Sequence, residues 1–171
     1  MAHVFALTES RVRILSRELG ITSVRVTPQA LTDMEKETRA WYPRETGGVL
    51  LGYHLEEDVH VTMIVGGGPR ARHLVDSFEP DWPWQQEEVA RHYQASSRTI
   101  EYLGDWHSHP RGVPRPSPKD RGAAKTIATS KDARCATPIM IIVGLRRRED
   151  RTEVRAYIYR DSRLARCELL P

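Results

Sequence analysis

Residues 104–120 read GDWHSHPRGVPRPSPKD: two histidines one residue apart, His107 and His109, with Asp120 eleven positions after the second. On an extended strand, side chains two apart leave the same face, so both imidazoles can converge on one point. Ser117-Pro118-Lys119-Asp120 opens a helix, with the serine as cap and the proline in the first turn, and Asp120 brings a carboxylate to the pair. Two neutral imidazoles and one carboxylate leave a tetrahedral zinc ion with one open vertex, which separates catalytic zinc from the closed four-ligand structural kind. The stretch therefore predicts a strand over Thr99 to His107, a helix from Ser117 to about Thr129, and a metal site between them.

Outward from this stretch, strands and helices interleave. Ile21 to Val26 alternates as a strand, and Thr27-Pro28 opens a helix that runs to Trp41, where Tyr42-Pro43 ends it. Val49 to Tyr53 and Val59 to Val65 flank a polar turn and predict a hairpin. Gly66-Gly67-Gly68-Pro69 lacks the lysine and following helix of a phosphate loop and is taken as a turn. A second helix is expected over Asp81 to Ser97, capped near Asp81. Pro138 to Leu145 is a continuous apolar strand buried on both faces, joined by an arginine-rich turn to Glu153–Tyr159. Arg163 to Leu169 fits a last strand or a short helix, and the first twenty residues a strand and a short helix. The fold class expected from this order is α/β or α+β, three layers with a central sheet flanked by helices.

At 171 residues the chain suits one domain with its own core. No apolar run approaches the roughly 20 residues of a membrane helix, and the N-terminus lacks a signal-peptide pattern, so a cytoplasmic protein is expected. Cys135 and Cys167 form no C-x-x-C pair and read as packing residues. The net charge of +3 comes from scattered arginine with one dense run, Arg146 to Arg148 and Arg151, that reads as a solvated turn. Without clustered basic and aromatic residues or a known module, nucleic-acid binding is not expected.

The motif resembles that of the JAMM or MPN-plus metalloproteases, the JAB-domain family. Their signature is an upstream glutamate, then His-x-His-Pro, then Ser-x-x-Asp after a short spacer. Here Glu45 stands in Glu-Thr-Gly-Gly, His107-Ser108-His109-Pro110 is followed by six residues, and Ser117 to Asp120 completes the pattern. The likeness covers about residues 27–158 and is to the compact prokaryotic type. It implies a cytidine-deaminase-like α/β fold with a mixed central sheet, one zinc ion per chain on His107, His109 and Asp120, and hydrolysis of peptide or isopeptide bonds. Many members remove ubiquitin or ubiquitin-like modifiers, so a ubiquitin-like protein or its conjugate is the substrate expected, with activating- and conjugating-type enzymes from the same operon as partners. Antiphage defence is one setting for such systems. Room for long insertions is short, so strict selectivity for one ubiquitin linkage is not expected.

In this scheme Glu45 takes a proton from water and passes it to the leaving amine; alone, it would read as a surface carboxylate beside Arg44. Ser117 has two readings, a helix cap and a hydroxyl that helps hold the oxyanion. Asp105 and Trp106 support the ligands or pack. Ser108 points to the opposite strand face and reads as structural, while His3, His54, His60, His73 and His92 lack ligand spacing and read as surface or packing residues. Rival readings are a JAB peptidase acting on a sulfur-carrier adduct or small peptide, a non-haem iron oxygenase using the two-histidine, one-carboxylate set, and a basic binding module with structural zinc.

Overall fold

The computed structural model describes residues 21–146 and 150–171. The elements expected in the first twenty residues, and the centre of the arginine-rich turn at 147–149, lie outside them. Strand β1 (Ser23–Val26) leads into helix α1 (Pro28–Trp41). Thr27 caps it by accepting the Ala30 N–H at 3.3 Å, and Pro28 occupies a first turn that needs no donor. The helix stops where Tyr42 becomes extended ahead of Pro43. Its buried positions, Ala30, Met34 and Thr38, lie four apart along one stripe.

Strands β2 (Gly47–Leu55) and β3 (Asp58–Val65) form the expected antiparallel hairpin. Two short strands, β4 (Arg72–His73) and β5 (Phe78–Glu79), then pair as a separate ribbon that the sequence did not announce. Helix α2 (Trp82–Ala95) starts after Asp81, but the Asp81 carboxylate makes no capping bond. It instead accepts from the backbone N–H and guanidinium of Arg70, at 3.1–3.2 Å. There follow β6 (Glu101–His109), helix α3 (Pro118–Thr129), β7 (Ile139–Arg146), β8 (Arg151–Arg160) and β9 (Arg163–Leu170). The last segment is thus a strand, held by antiparallel pairing with β8.

The sheet is mixed and helix-flanked as expected, but the three-layer arrangement needs one correction. The strand order β1-β3-β2-β6-β7-β8-β9 closes on itself, because β1 pairs in parallel with β9 as well as with β3. A twisted sheet that curls around a helix can join its two edge strands, and closure removes the unpaired edges that an open sheet would expose. Helices still cover both faces. Met34 and Ala30 of α1 share one core with Leu50, Trp106, Ile139, Ile141 and Val143. On the other face Met140 and Ile142 pack with Ala124 of α3, while Val49 and Leu51 pack with Trp84 and Val89 of α2. The alternation along β7 shows why its sequence is apolar without interruption: both faces are covered.

Strand β6 carries an irregularity on which the site depends. Its register against β2 slips between Leu50↔Gly104 and Leu51↔Tyr102, leaving one extra residue on β6. Such a bulge re-aims the side chains beyond it. Gly104 has φ +138°, a region open to glycine, and a Cβ there would lie 2.0 Å from the Ile139 carbonyl oxygen. Gly104→Ala is therefore expected to destabilise the protein by about 3 kcal/mol or more. Urea unfolding of the two proteins checks this, and equal midpoints with equal slopes would refute it.

Candidate metal centre

Beyond the bulge, Asp105, His107 and His109 share one face of β6, while Trp106 and Ser108 turn into the interior. Helix α3 begins beside that face. The donor atoms of His107, His109 and Asp120 form a small triangle: Nε2 to Nε2 3.1 Å, His107 Nε2 to Oδ1 3.3 Å, and His109 Nε2 to Oδ2 3.6 Å. A tetrahedral ion with metal–ligand distances of about 2.0–2.1 Å has edges of roughly 3.3–3.4 Å, so the spacing fits a single small cation. The tautomer fits too. His109 Nδ1 lies 3.3 Å from the Val113 carbonyl, which can only accept, so the proton sits on Nδ1 and the Nε2 lone pair faces the triangle. Burial lowers the His109 pKa and favours that neutral ring.

Asp120 is aimed by its own helix. The capping box is complete: the Ser117 hydroxyl accepts the Asp120 N–H at 3.2 Å, and Asp120 Oδ2 accepts the Ser117 N–H at 2.6 Å. Burial opposes the charge of Asp120, but the bond and charge of His107 and the bonds from Ser117 outweigh it and hold its pKa well below the carboxylate range. The loop from His109 to Ser117 is pinned by Tyr157, whose hydroxyl donates to the Pro114 carbonyl at 2.7 Å. Gly144 on β7 makes room for it, since a Cβ there would meet Pro114 at 2.8 Å.

Glu45 comes from the other side. Gly47 pairs with His107 across β2 and β6, so the residues just before β2 lie next to the ligand end of β6. Ser108 closes that junction: its N–H donates to the Thr46 carbonyl at 2.8 Å and its Oγ accepts the Thr46 N–H at 3.0 Å. The Glu45 carboxyl is half-buried, with a pKa raised to about 6; burial is the main cause, His107 and Lys119 pull it down, and Asp120 and Asp76 push it up. Asp105 sits on the ligand face but accepts the Tyr102 hydroxyl at 2.8 Å, which gives it a supporting place. Trp106 is core, and its indole N–H has no acceptor among the described residues.

The three ligands read from spacing, His107, His109 and Asp120, thus lie with Ser117 and Glu45, the two residues added by the family resemblance. Ser108, read as structural and on the opposite face, is so: buried there, it ties the Glu45 segment to the ligand strand. One contact escaped the sequence: His73 was read as surface or packing, and its Nδ1 lies 3.0 Å from the Glu45 carbonyl oxygen. Nothing local marks it.

A helix-flanked mixed sheet that brings two histidines and an aspartate to ligand spacing beside a half-buried carboxyl has the donor set of a metal centre. The chain belongs to the family of prokaryotic homologs of the JAB domain, which it matches over residues 27–158, and is of the peptidase and isopeptidase class of that family. It is 40% identical over 119 residues to a probable metalloprotease, y4qB, of Sinorhizobium fredii, covering 68% of this chain and 73% of that protein. It is 31% identical over 132 residues to a CD-NTase/cGAS isopeptidase of Enterobacter hormaechei, covering 75% and 71%. The solution structure of protein DSY2949 from Desulfitobacterium hafniense has the same fold, with TM-score 0.67 at 19% identity over 86% of this chain and 91% of that one. Among the described residues no helix is long and apolar enough to cross a membrane.

The raised Glu45 pKa makes a stability prediction for metal-free protein. Between an ordinary 4.5 and about 6 the native state holds a proton that the unfolded chain has lost, so stability falls as pH rises through that window. Above it the cost of the charged, half-buried carboxyl is complete. Glu45→Gln should then be the more stable protein at pH 7.5 by about 1 kcal/mol, allowing for solvent screening, with the gap closing toward pH 4.5. Denaturant unfolding at both pH values measures it, and a wild type more stable than the variant at pH 7.5 would contradict the assignment.

Proposed function

We propose that this chain is a zinc-dependent isopeptidase or peptidase that hydrolyses the bond after the C-terminal tail of a ubiquitin-like protein, either to detach it from a target or to mature its precursor. The reading takes residues 1–171 as one catalytic domain in a cytidine-deaminase-like JAB fold. His107, His109 and Asp120 hold one zinc ion, which when bound lowers the pKa of water from roughly 15.7 to about 7 and polarises a carbonyl. The observation that carries this is the triangle of donor atoms with edges of 3.1–3.6 Å beside the Glu45 carboxyl.

Hydrolysis of an amide requires water to lose a proton and the leaving nitrogen to gain one. Glu45 moves that proton: its carboxylate takes it from the attacking water and returns it to the nitrogen as the carbon–nitrogen bond breaks. Ser117 turns its hydroxyl toward the carbonyl oxygen as charge develops there, while its backbone N–H keeps Asp120 in place. The cap uses a lone pair of the hydroxyl oxygen, which accepts the Asp120 N–H, and the oxyanion role uses the hydroxyl hydrogen, so one hydroxyl serves both.

The relatives support a defence setting with partner enzymes of the activating and conjugating kind. Relatives from Enterobacter hormaechei and Pseudomonas aeruginosa are named CD-NTase/cGAS isopeptidases. That name favours a second substrate, a conjugate in which a CD-NTase-type protein takes the place of the ubiquitin-like modifier. Zinc-loaded protein should cleave a ubiquitin-like or CD-NTase conjugate made by the enzymes of neighbouring genes. Glu45→Gln should keep its zinc and lose at least about 10²-fold in kcat, whereas Asp120→Ala should lose zinc and activity together. Equal turnover by wild type and Glu45→Gln would end this mechanism, and stoichiometric iron with oxygen-dependent turnover would replace the hydrolase.

A further inference from the structure

Both backbone groups of Glu45 are bonded to the small ribbon. Its N–H donates to the Leu74 carbonyl at 2.7 Å, and its carbonyl oxygen lies 3.0 Å from His73 Nδ1. A carbonyl has no hydrogen to give, so Nδ1 carries the proton and His73 is fixed in one tautomer. The ring itself is clasped. Trp41, the last residue of α1, stacks on it at 3.5 Å between centroids and 6° between planes, and Phe78 of β5 lies at 5.3 Å on a 42° tilt. Phe78 in turn fills the space that a Cβ on Gly47 or Gly67 would need, at 3.0 and 2.8 Å, so the ribbon is keyed to the start of β2. Burial lowers the His73 pKa, in keeping with a neutral ring that donates one hydrogen bond.

We propose that His73 is a positioning residue: its Nδ1–H bond to the Glu45 carbonyl, with the Leu74 bond to the Glu45 N–H, fixes the direction in which the Glu45 carboxylate leaves the backbone toward His107 and Asp120. With both peptide groups tied, only the side-chain torsions of Glu45 remain free. An untied peptide would let the carboxylate wander, and misplacement by about 1 Å can cost on the order of 10²-fold in rate. The inference rests on Glu45 as the proton carrier of the proposed reaction.

Two variants separate the donor from the ring. His73→Phe keeps an aromatic plane against Trp41 and lacks the donor; His73→Asn lacks the ring and keeps an amide N–H at the same two-bond reach from Cβ. In full-length zinc-loaded protein acting on the conjugate used above, His73→Phe should lower kcat by roughly 10-fold to 10²-fold with KM held within about twofold, and His73→Asn should recover most of that loss. Hydrogen–deuterium exchange of the Glu45 amide, whose own bond is to the carbonyl of Leu74 next to His73, reads without any substrate whether losing the His73 bond loosens this segment. It should quicken at least about tenfold in His73→Phe and stay near wild type in His73→Asn. Wild-type kcat and wild-type Glu45 exchange in His73→Phe would overturn the proposal, as would a His73→Asn that is folded by its melting curve yet as impaired as His73→Phe in both readouts. If wild type cleaves neither conjugate, the role of Glu45 falls, while the exchange data still decide whether His73 ties its peptide.

Discussion

Two imidazole nitrogens and a carboxylate within 3.1–3.6 Å of one another are the constraint on which the arrangement turns. Half-buried donors facing a common point lose hydration, and two imidazole nitrogens 3.1 Å apart can share one hydrogen at most. A divalent cation resolves that conflict, since each lone pair then has a partner. The surrounding protein can be understood as what keeps the donors convergent: the Val113 carbonyl sets the tautomer of His109, Ser117 holds one oxygen of Asp120, and Tyr157 and Gly144 fix the loop between them.

The fold supplies this geometry from three directions. Strand β6 is flanked by β2 and β7, so the two histidines stand on a strand that is hydrogen-bonded along both sides. The bulge at Gly104 puts Asp105, His107 and His109 on the outer face while Leu103 and Trp106 stay in the core with Met34 of α1. Glu45 arrives at the end of β2 and is coupled to β6 through the two bonds between Thr46 and Ser108. A distortion of β6 would therefore move the ligands and the carboxyl together. The closed sheet limits such distortion, because no strand of the ring is free to peel from an open edge.

Much of this was legible because it is local. Thr27-Pro28 and Tyr42-Pro43 bracket α1 by capping and by steric exclusion, which depend on a few adjacent residues. The unbroken apolar run of β7 declared burial on both faces, and the spacing of His107, His109, Ser117 and Asp120 is compact enough to be read on one strand and one helix start. What the sequence hid is long-range. Barrel closure depends on three parallel pairings between β1 and β9, such as Val24 with Leu169, and no local pattern encodes them. Strands of two residues, as in β4 and β5, carry no periodicity, and so the ribbon and the place of His73 beside Glu45 were invisible. Asp81 was placed correctly at the start of α2, but its carboxylate answers to Arg70, a residue met only in the folded chain.

The central claim is that one cation sits where the donor atoms of His107, His109 and Asp120 converge, with Glu45 beside it and unbound to it. Crystals grown with zinc and measured on both sides of the zinc absorption edge test it directly. The account predicts one anomalous peak about 2.0–2.2 Å from each of the three donors, with the Glu45 carboxylate outside that distance. No peak at the triangle, or a peak that takes Glu45 as a ligand in place of Asp120, would contradict it.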